Sequence, residues 1–185
     1  MVLKKYPEAQ IKLMDSESNC MQLGFAVEAG AKAAKAGKDI RQVQQAVEAA
    51  KVRSRFLFVP MDLTYLQQGG RIGRANALIG NLLKIVPILT VENGETAIYK
   101  KVRQKRKAVE EIMAKLIADH KEFRIKEVII HHINARQEGE ELKNKLMEKL
   151  QSPTPIRIQS IGPVIGLHVG PGAIGVVYLT EKTQQ

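Results

Sequence analysis

In the second half of this chain the apolar residues change their spacing from segment to segment, and that alternation limits the folds open to it. Ala108, Val109, Ile112, Met113, Leu116 and Ile117 recur at helical spacing over residues 105–120. "IKEVIIHHI" then reads as a strand, and Leu142, Leu146 and Leu150 put one stripe on a helix over 138–150. "TPIRIQSI" and "AIGVVYLT" follow as strands. Upstream, "RFLFVP" is a strand, and "PILTVENGETAIYK" is a hairpin turning at Asn93-Gly94, where both turn positions need positive φ. Strands alternating with helices predict a layered α/β domain.

The earlier part is organised differently. "AQIKLMDS" reads as a short strand. A helix over 22–36 carries Leu23, Val27 and Ala31 on one stripe and stops at Gly37. Asp39 caps the next helix, with Gln42 three residues on, and Ile40, Val43 and Val47 form its apolar face. Asp62 opens a short helix through "LTYLQQ" that Gly69-Gly70 ends. "ANALIGNLL" is apolar nearly all round and is expected to be a buried helix. A strand and two helices read as the tail of a further unit. The expected division is 1–54 and 55–185.

Length and charge narrow the classes. At 185 residues the chain makes one large or two small domains and can bury a core without staples. Its single cysteine, Cys20, excludes an internal disulfide and fits a reducing compartment. No apolar run approaches the roughly 20 residues that cross a bilayer, and "MVLKKYPEAQ" lacks a signal-like apolar core. The expected setting is cytoplasmic. The net charge of +10 raises nucleic acid as a partner, and much of the excess lies in "YKKVRQKRK", residues 99–107. With four tyrosines, four phenylalanines and no tryptophan, a base-stacking surface is poorly supplied. The run reads either as a solvated face or as a site for an anionic ligand or partner.

Few residues offer chemistry. His131 and His132 are adjacent on a strand and face opposite ways, so they cannot share an ion. His120 ends a helix, where it is expected to meet the last carbonyls. No metal set and no cofactor are expected. Cys20 has no activating neighbour, and no "GxSxG" elbow occurs. "GGRIGRANALIG" lacks the lysine-serine ending of a phosphate loop and follows a helix rather than a strand. It does place Arg71 and Arg74 at the start of a helix, where free amides favour an anion; the plain alternative is a helix end with two surface arginines. In "GPVIGLHVGPGAIGVVYL", His168 stands among Gly166, Gly170, Gly172 and Gly175, which suit close approach of a backbone or a ligand. His168 is either a core histidine bonded to a carbonyl or a donor to an acid in an apolar lining.

Three of these stretches occur together. "LTYLQQGGRIGRANALIGNLLKIVPILTVENGE", "KKVRQKRKAVEEI" and "IGPVIGLHVGPGAIGVVY" resemble, in that order and spacing, the second half of the DegV family. The resemblance runs from about Ile11 to Leu179. It implies two α/β domains with a long-chain fatty acid between and within them, and in several members a role as the subunit that presents the acid to a fatty acid kinase. It implies a non-catalytic carrier. His168 would hold the carboxylate and Arg71 would lie near the carboxyl end, with Gly70, Ile165, Gly166 and Gly170 about the ligand. "ANALIGNLL" and "GPVIGL" would line the acyl tunnel. Arg74, Arg103, Lys105 and Arg106 are the candidate partner surface.

The resemblance also implies an earlier segment with a threonine/serine-rich loop and an "SGT"-like stretch, whose hydroxyls add carboxylate contacts. This sequence contains neither, so the chain is expected to be a fragment, a truncated reading frame or part of a split protein. The expected fold is then a DegV-like C-terminal α/β domain with a truncated remnant of the N-terminal one. The edges of "IKLM" would be open to pairing with a second copy. Two other classes stay open: a nucleic-acid-binding basic module, and an interaction domain whose ligand capacity is lost with the missing half.

Overall fold

The computed structural model describes residues 2–79, 85–150 and 154–183. Among them a six-stranded sheet is formed by β1 (Ser54–Val59), β2 (Val86–Glu92), β3 (Glu95–Val102), β4 (Ile125–His132), β5 (Ile156–Ser160) and β6 (Ile174–Thr180). The strand order is β3-β2-β1-β6-β4-β5. Only β4 and β5 pair in parallel. The helices are α1 (Val2–Lys5), α2 (Cys20–Lys35), α3 (Ile40–Arg53), α4 (Thr64–Gln68), α5 (Lys105–Phe123), α6 (Arg136–Leu150) and α7 (Pro163–Val169).

Helices cover both faces of the sheet, as strands with two buried faces require. On one face α5 and α6 bring Ala108, Ile112, Leu116, Leu142 and Leu146 onto Leu57, Ile88, Val128, Ile130 and Val176. On the other, Phe25 of α2, Leu66 of α4 and Val169 of α7 pack on Phe56, Phe58, Leu89, Ile129 and Val177. The odd–even split along β4 follows from its two-residue period and carries His131 and His132 to opposite faces, as expected. Other local readings also hold. Asn93 (φ 52°) and Gly94 (φ 78°) turn the β2–β3 hairpin. Asp39 accepts from the Gln42 amide (2.8 Å) while the Gln42 side chain accepts from the Asp39 amide (3.2 Å), closing the capping box.

Four expectations fail, each because the wider fold overrides a local pattern. "IKLM" is not a strand: residues 9–16 run without regular structure beside α2 and α3, where no sheet edge offers a partner. The face that α2 buries is Phe25, Ala26 and Gly30, while Leu23, Val27 and Ala31 are exposed. "ANALIGNLL" does not form a buried α-helix. Its described part belongs to a 3₁₀ helix, Gly73–Leu78, that buries Ala75 and Leu78 and leaves Arg74, Asn76 and Ala77 exposed. Three residues per turn put 75 and 78 on one side, and Gly73 (φ 50°) sets the start by lying against the Thr96 backbone, where a Cβ would come within 2.6 Å of the carbonyl oxygen. Residues 80–83 of that stretch lie outside the described residues. His120 does not reach the last carbonyls of α5; its Nδ1 accepts from the Ile125 amide (3.3 Å) across the turn into β4.

Candidate functional site

The glycine-flanked His168 sits in the last turn of α7, a helix that opens with Pro163 at its first position and closes at Gly170 (φ 75°). Its Nδ1 occupies the space where a side chain at Gly69 would be, so only glycine fits at the end of α4. Gly70 (φ 65°) then turns the chain back, and the Arg71 amide donates to the Leu66 carbonyl (2.8 Å). Thr96 Oγ1 donates to the Arg71 carbonyl (2.8 Å), fastening this turn to β3. Two stretches almost a hundred residues apart thereby meet.

They meet at a cavity of about 440 Å³. Its wall is largely apolar, with Phe56, Phe58, Leu66, Ile165, Val169 and Ala173 among its residues, and Asn19, Gly70, Arg71, Glu95, Thr96 and His168 contribute to its polar part. Of the site residues expected from sequence, His168, Arg71, Gly70 and Ile165 come together here. Gly166 and Gly170 do not line it: Gly166 backs onto Ile133, and Gly170 faces the Tyr65 ring. Within "GPVIGL", Val164 and Ile165 line the cavity, whereas Ala75 and Leu78 belong to the core beneath.

Two buried polar atoms at this cavity have no hydrogen-bond partner among the described residues, His168 Nδ1 and Asn19 Oδ1. His168 is therefore not a core histidine bonded to a carbonyl. Nδ1 is turned onto Gly69, and Nε2 is the ring nitrogen that is not. Asn19 does not stand out in the sequence, where the helix reads from residue 22 rather than from Cys20. It does occupy the N-cap of α2, yet makes no capping bond. The Met21 amide donates instead to His131 Nε2 (3.2 Å), which releases the Asn19 carboxamide.

That contact fixes the His131 tautomer. Nε2 accepts, so Nδ1 carries the proton and donates to the Gln159 carbonyl (3.3 Å). Burial holds its pKa below the ordinary 6.5, with the neighbouring His132 adding to the effect and the Gln159 bond opposing it. The unfolded chain thus takes up this proton at a higher pH than the folded one. The stabilising contribution is complete above about pH 6.5 and is lost as pH falls through the folded pKa. The melting temperature should drop below that pH, and His131→Gln should flatten the profile; equal slopes in the two proteins would exclude His131 as the titrating group. Cys20, beside it at the start of α2, is pushed up to about 12 by burial and stays a thiol.

The basic run is largely paired. Lys105 is tied internally to Glu138 (2.6 Å) and to the Gly172 carbonyl (2.9 Å), so it is not a free surface cation. Arg74 pairs with Glu92 (2.6 Å), Lys100 with Glu111 (2.8 Å) and Lys107 with Glu110 (3.1 Å). Arg103 is exposed, and Arg106 is 85% exposed with Glu110 at 3.6 Å. Surface pairs of this kind spread both signs over the face and weaken it as a nucleic-acid track. Among the described residues no cluster of histidine, cysteine or carboxylate could hold a metal ion, and no helix is long and apolar enough to cross a membrane.

Known proteins are similar to this chain in sequence, and solved structures share its arrangement of elements. A family model described as "Uncharacterised protein, DegV family" matches residues 1–181. A DegV domain-containing protein of Clostridium acetobutylicum is 51% identical over 185 residues, all of this chain and 64% of the relative. One of Clostridium perfringens is 42% identical over 182 residues, 98% of this chain and 64% of the relative. The chain thus spans just under two thirds of the length of these relatives. A fatty-acid-binding DegV family protein from Streptococcus agalactiae superposes with a TM-score of 0.86 at 26% identity, over 98% of this chain and 64% of that one. DegV, a fatty-acid-binding protein from Bacillus subtilis, does so with a TM-score of 0.79 at 31% identity, over 90% and 59%. With a family match along nearly its whole length and half its residues shared with a relative, this chain belongs to the DegV family.

Proposed function

We propose that this chain binds a long-chain fatty acid, its carboxylate toward His168 and Arg71 and its acyl chain in the apolar cavity. The observation that carries the reading is the pairing of an apolar cavity with an unpartnered imidazole. Nδ1 is shut against Gly69, so Nε2 is the nitrogen that can donate a hydrogen bond to an acid's carboxylate. Arg71, exposed beside it, adds positive potential. The fatty-acid-binding neighbours support the ligand class. Burying about fifteen methylenes at about 0.8 kcal/mol each gives about 12 kcal/mol gross, before the cost of ordering the chain. The tail supplies affinity and the polar end supplies orientation.

In this reading residues 1–54 are the remnant of an N-terminal unit and 55–185 the C-terminal domain. The protein is a cytoplasmic carrier rather than a catalyst. It presents the carboxyl group to a fatty acid kinase, with Arg74, Arg103 and Arg106 as the docking cations. Protein made in bacteria should release a fatty acid of about 16–18 carbons into organic extract, since long tails gain most from burial. Mass spectrometry of that extract tests it, and a clean extract from folded protein overturns it.

A further inference from the structure

The cavity has a second end. β1 and β2 pair only at Leu57↔Thr90 and Phe58↔Leu89. The next positions in that register are Phe56 and Val91, and there the ladder stops and the strands part. Beyond the fork lies another cavity, of about 480 Å³, lined among others by Lys51, Tyr99, Lys115 and Tyr178. It shares two lining residues with the first, Phe56 and Val91. The two cavities thus adjoin at Phe56 and Val91, and the first also carries His168 and Arg71 in its lining.

We propose that Phe56 and Val91 are the end wall of the acyl tunnel and set the length of chain it accepts, an inference that rests on the fatty-acid reading above. The wall is held firmly. The Phe56 ring stacks on Phe58 (centroids 4.9 Å apart, planes 23° apart) and meets His131 edge-on at 6.4 Å. Phe56 is buried, with its ring held by these two contacts. The space behind it is lined by charged and phenolic groups, which an acyl end does not enter without leaving them unsolvated. An alkyl chain that has its carboxylate at His168 must end against the ring.

The test compares the full chain with Phe56→Ala and Val91→Phe. Each is stripped of lipid and offered an equimolar mixture of saturated fatty acids of about 12 to 22 carbons, spanning tails of graded burial. Bound acids are identified by mass spectrometry. The parent should retain a narrow range of lengths. Phe56→Ala should shift it to chains about two to four carbons longer, filling the space the ring leaves, and Val91→Phe should shift it shorter. If the parent binds and both variants keep its length range, the wall lies elsewhere and this inference falls while the ligand class stands. If the parent takes up no acid, both readings fall. Should Phe56→Ala not fold by circular dichroism, Phe56→Leu replaces it beside Val91→Phe, with the same two outcomes.

Discussion

Replacing His168 by alanine is expected to weaken fatty-acid binding about 10- to 150-fold while leaving the fold largely intact. The loss corresponds to one hydrogen bond to a charged carboxylate, about 1.5–3 kcal/mol, at about 1.4 kcal/mol per tenfold. Folding should suffer less because the ring contributes no hydrogen bond of its own: Nδ1 has no partner among the described residues. What it contributes to the fold is contact with Gly69 at the end of α4. His168→Gln retains an N–H donor and should recover part of the affinity. Displacement of a fluorescent fatty acid, read beside a thermal melt, separates the two effects. A variant that melts far below the parent, yet binds normally in its folded fraction, would make His168 a packing residue.

The chain on its own should also fail to behave as a monodisperse monomer. Val27 and Leu23 of α2 and Ile40 of α3 are exposed, with Ile11 and Leu13 of the irregular segment beside them; Leu13 is 94% exposed and Val27 60%. Ile11, Leu23, Val27 and Ile40 line a groove of about 510 Å³ that also takes in Met14, Val43 and Val47. Contiguous apolar surface of this kind marks association. We expect a dimer or exchange of the element before Phe56, or else weak amide protection there while the sheet is well protected. Val27→Glu should raise the monomer fraction in light scattering, because a carboxylate buried in such a contact has no partner. A monodisperse monomer strongly protected over residues 1–54 would show that the face is already covered.

Much of this molecule is written in local pattern. The two-residue period of "IKEVIIHHI", the helical stripes over 105–120 and 138–150, the Asn93-Gly94 turn and the Asp39 capping box each depend on neighbours a few residues away. All formed as read. The failures lie where distant partners decide. "IKLM" has strand-like residues, but a strand exists only where another offers its hydrogen bonds, and the sheet has no place beside it. The α2 stripe of Leu23 and Val27 is as apolar as the face that is buried. Which side of a helix meets the sheet depends on how the helix docks, here through Phe25.

The site divides in the same way. Sequence alone placed His168 among glycines and Arg71 after a glycine pair, because special backbone conformations and an isolated ionisable ring are visible residue by residue. Their meeting needed the tertiary structure, since nothing within a hundred residues of chain states that the end of α7 packs on the end of α4. Asn19 shows the limit most plainly. In the sequence the helix reads from residue 22, past Asn19; in the structure Asn19 is the N-cap of α2, but the Met21 amide goes to His131 from β4 and the carboxamide lines the cavity. Local chemistry determined which groups could act; long-range packing decided which of them came together and which were left without partners among the described residues.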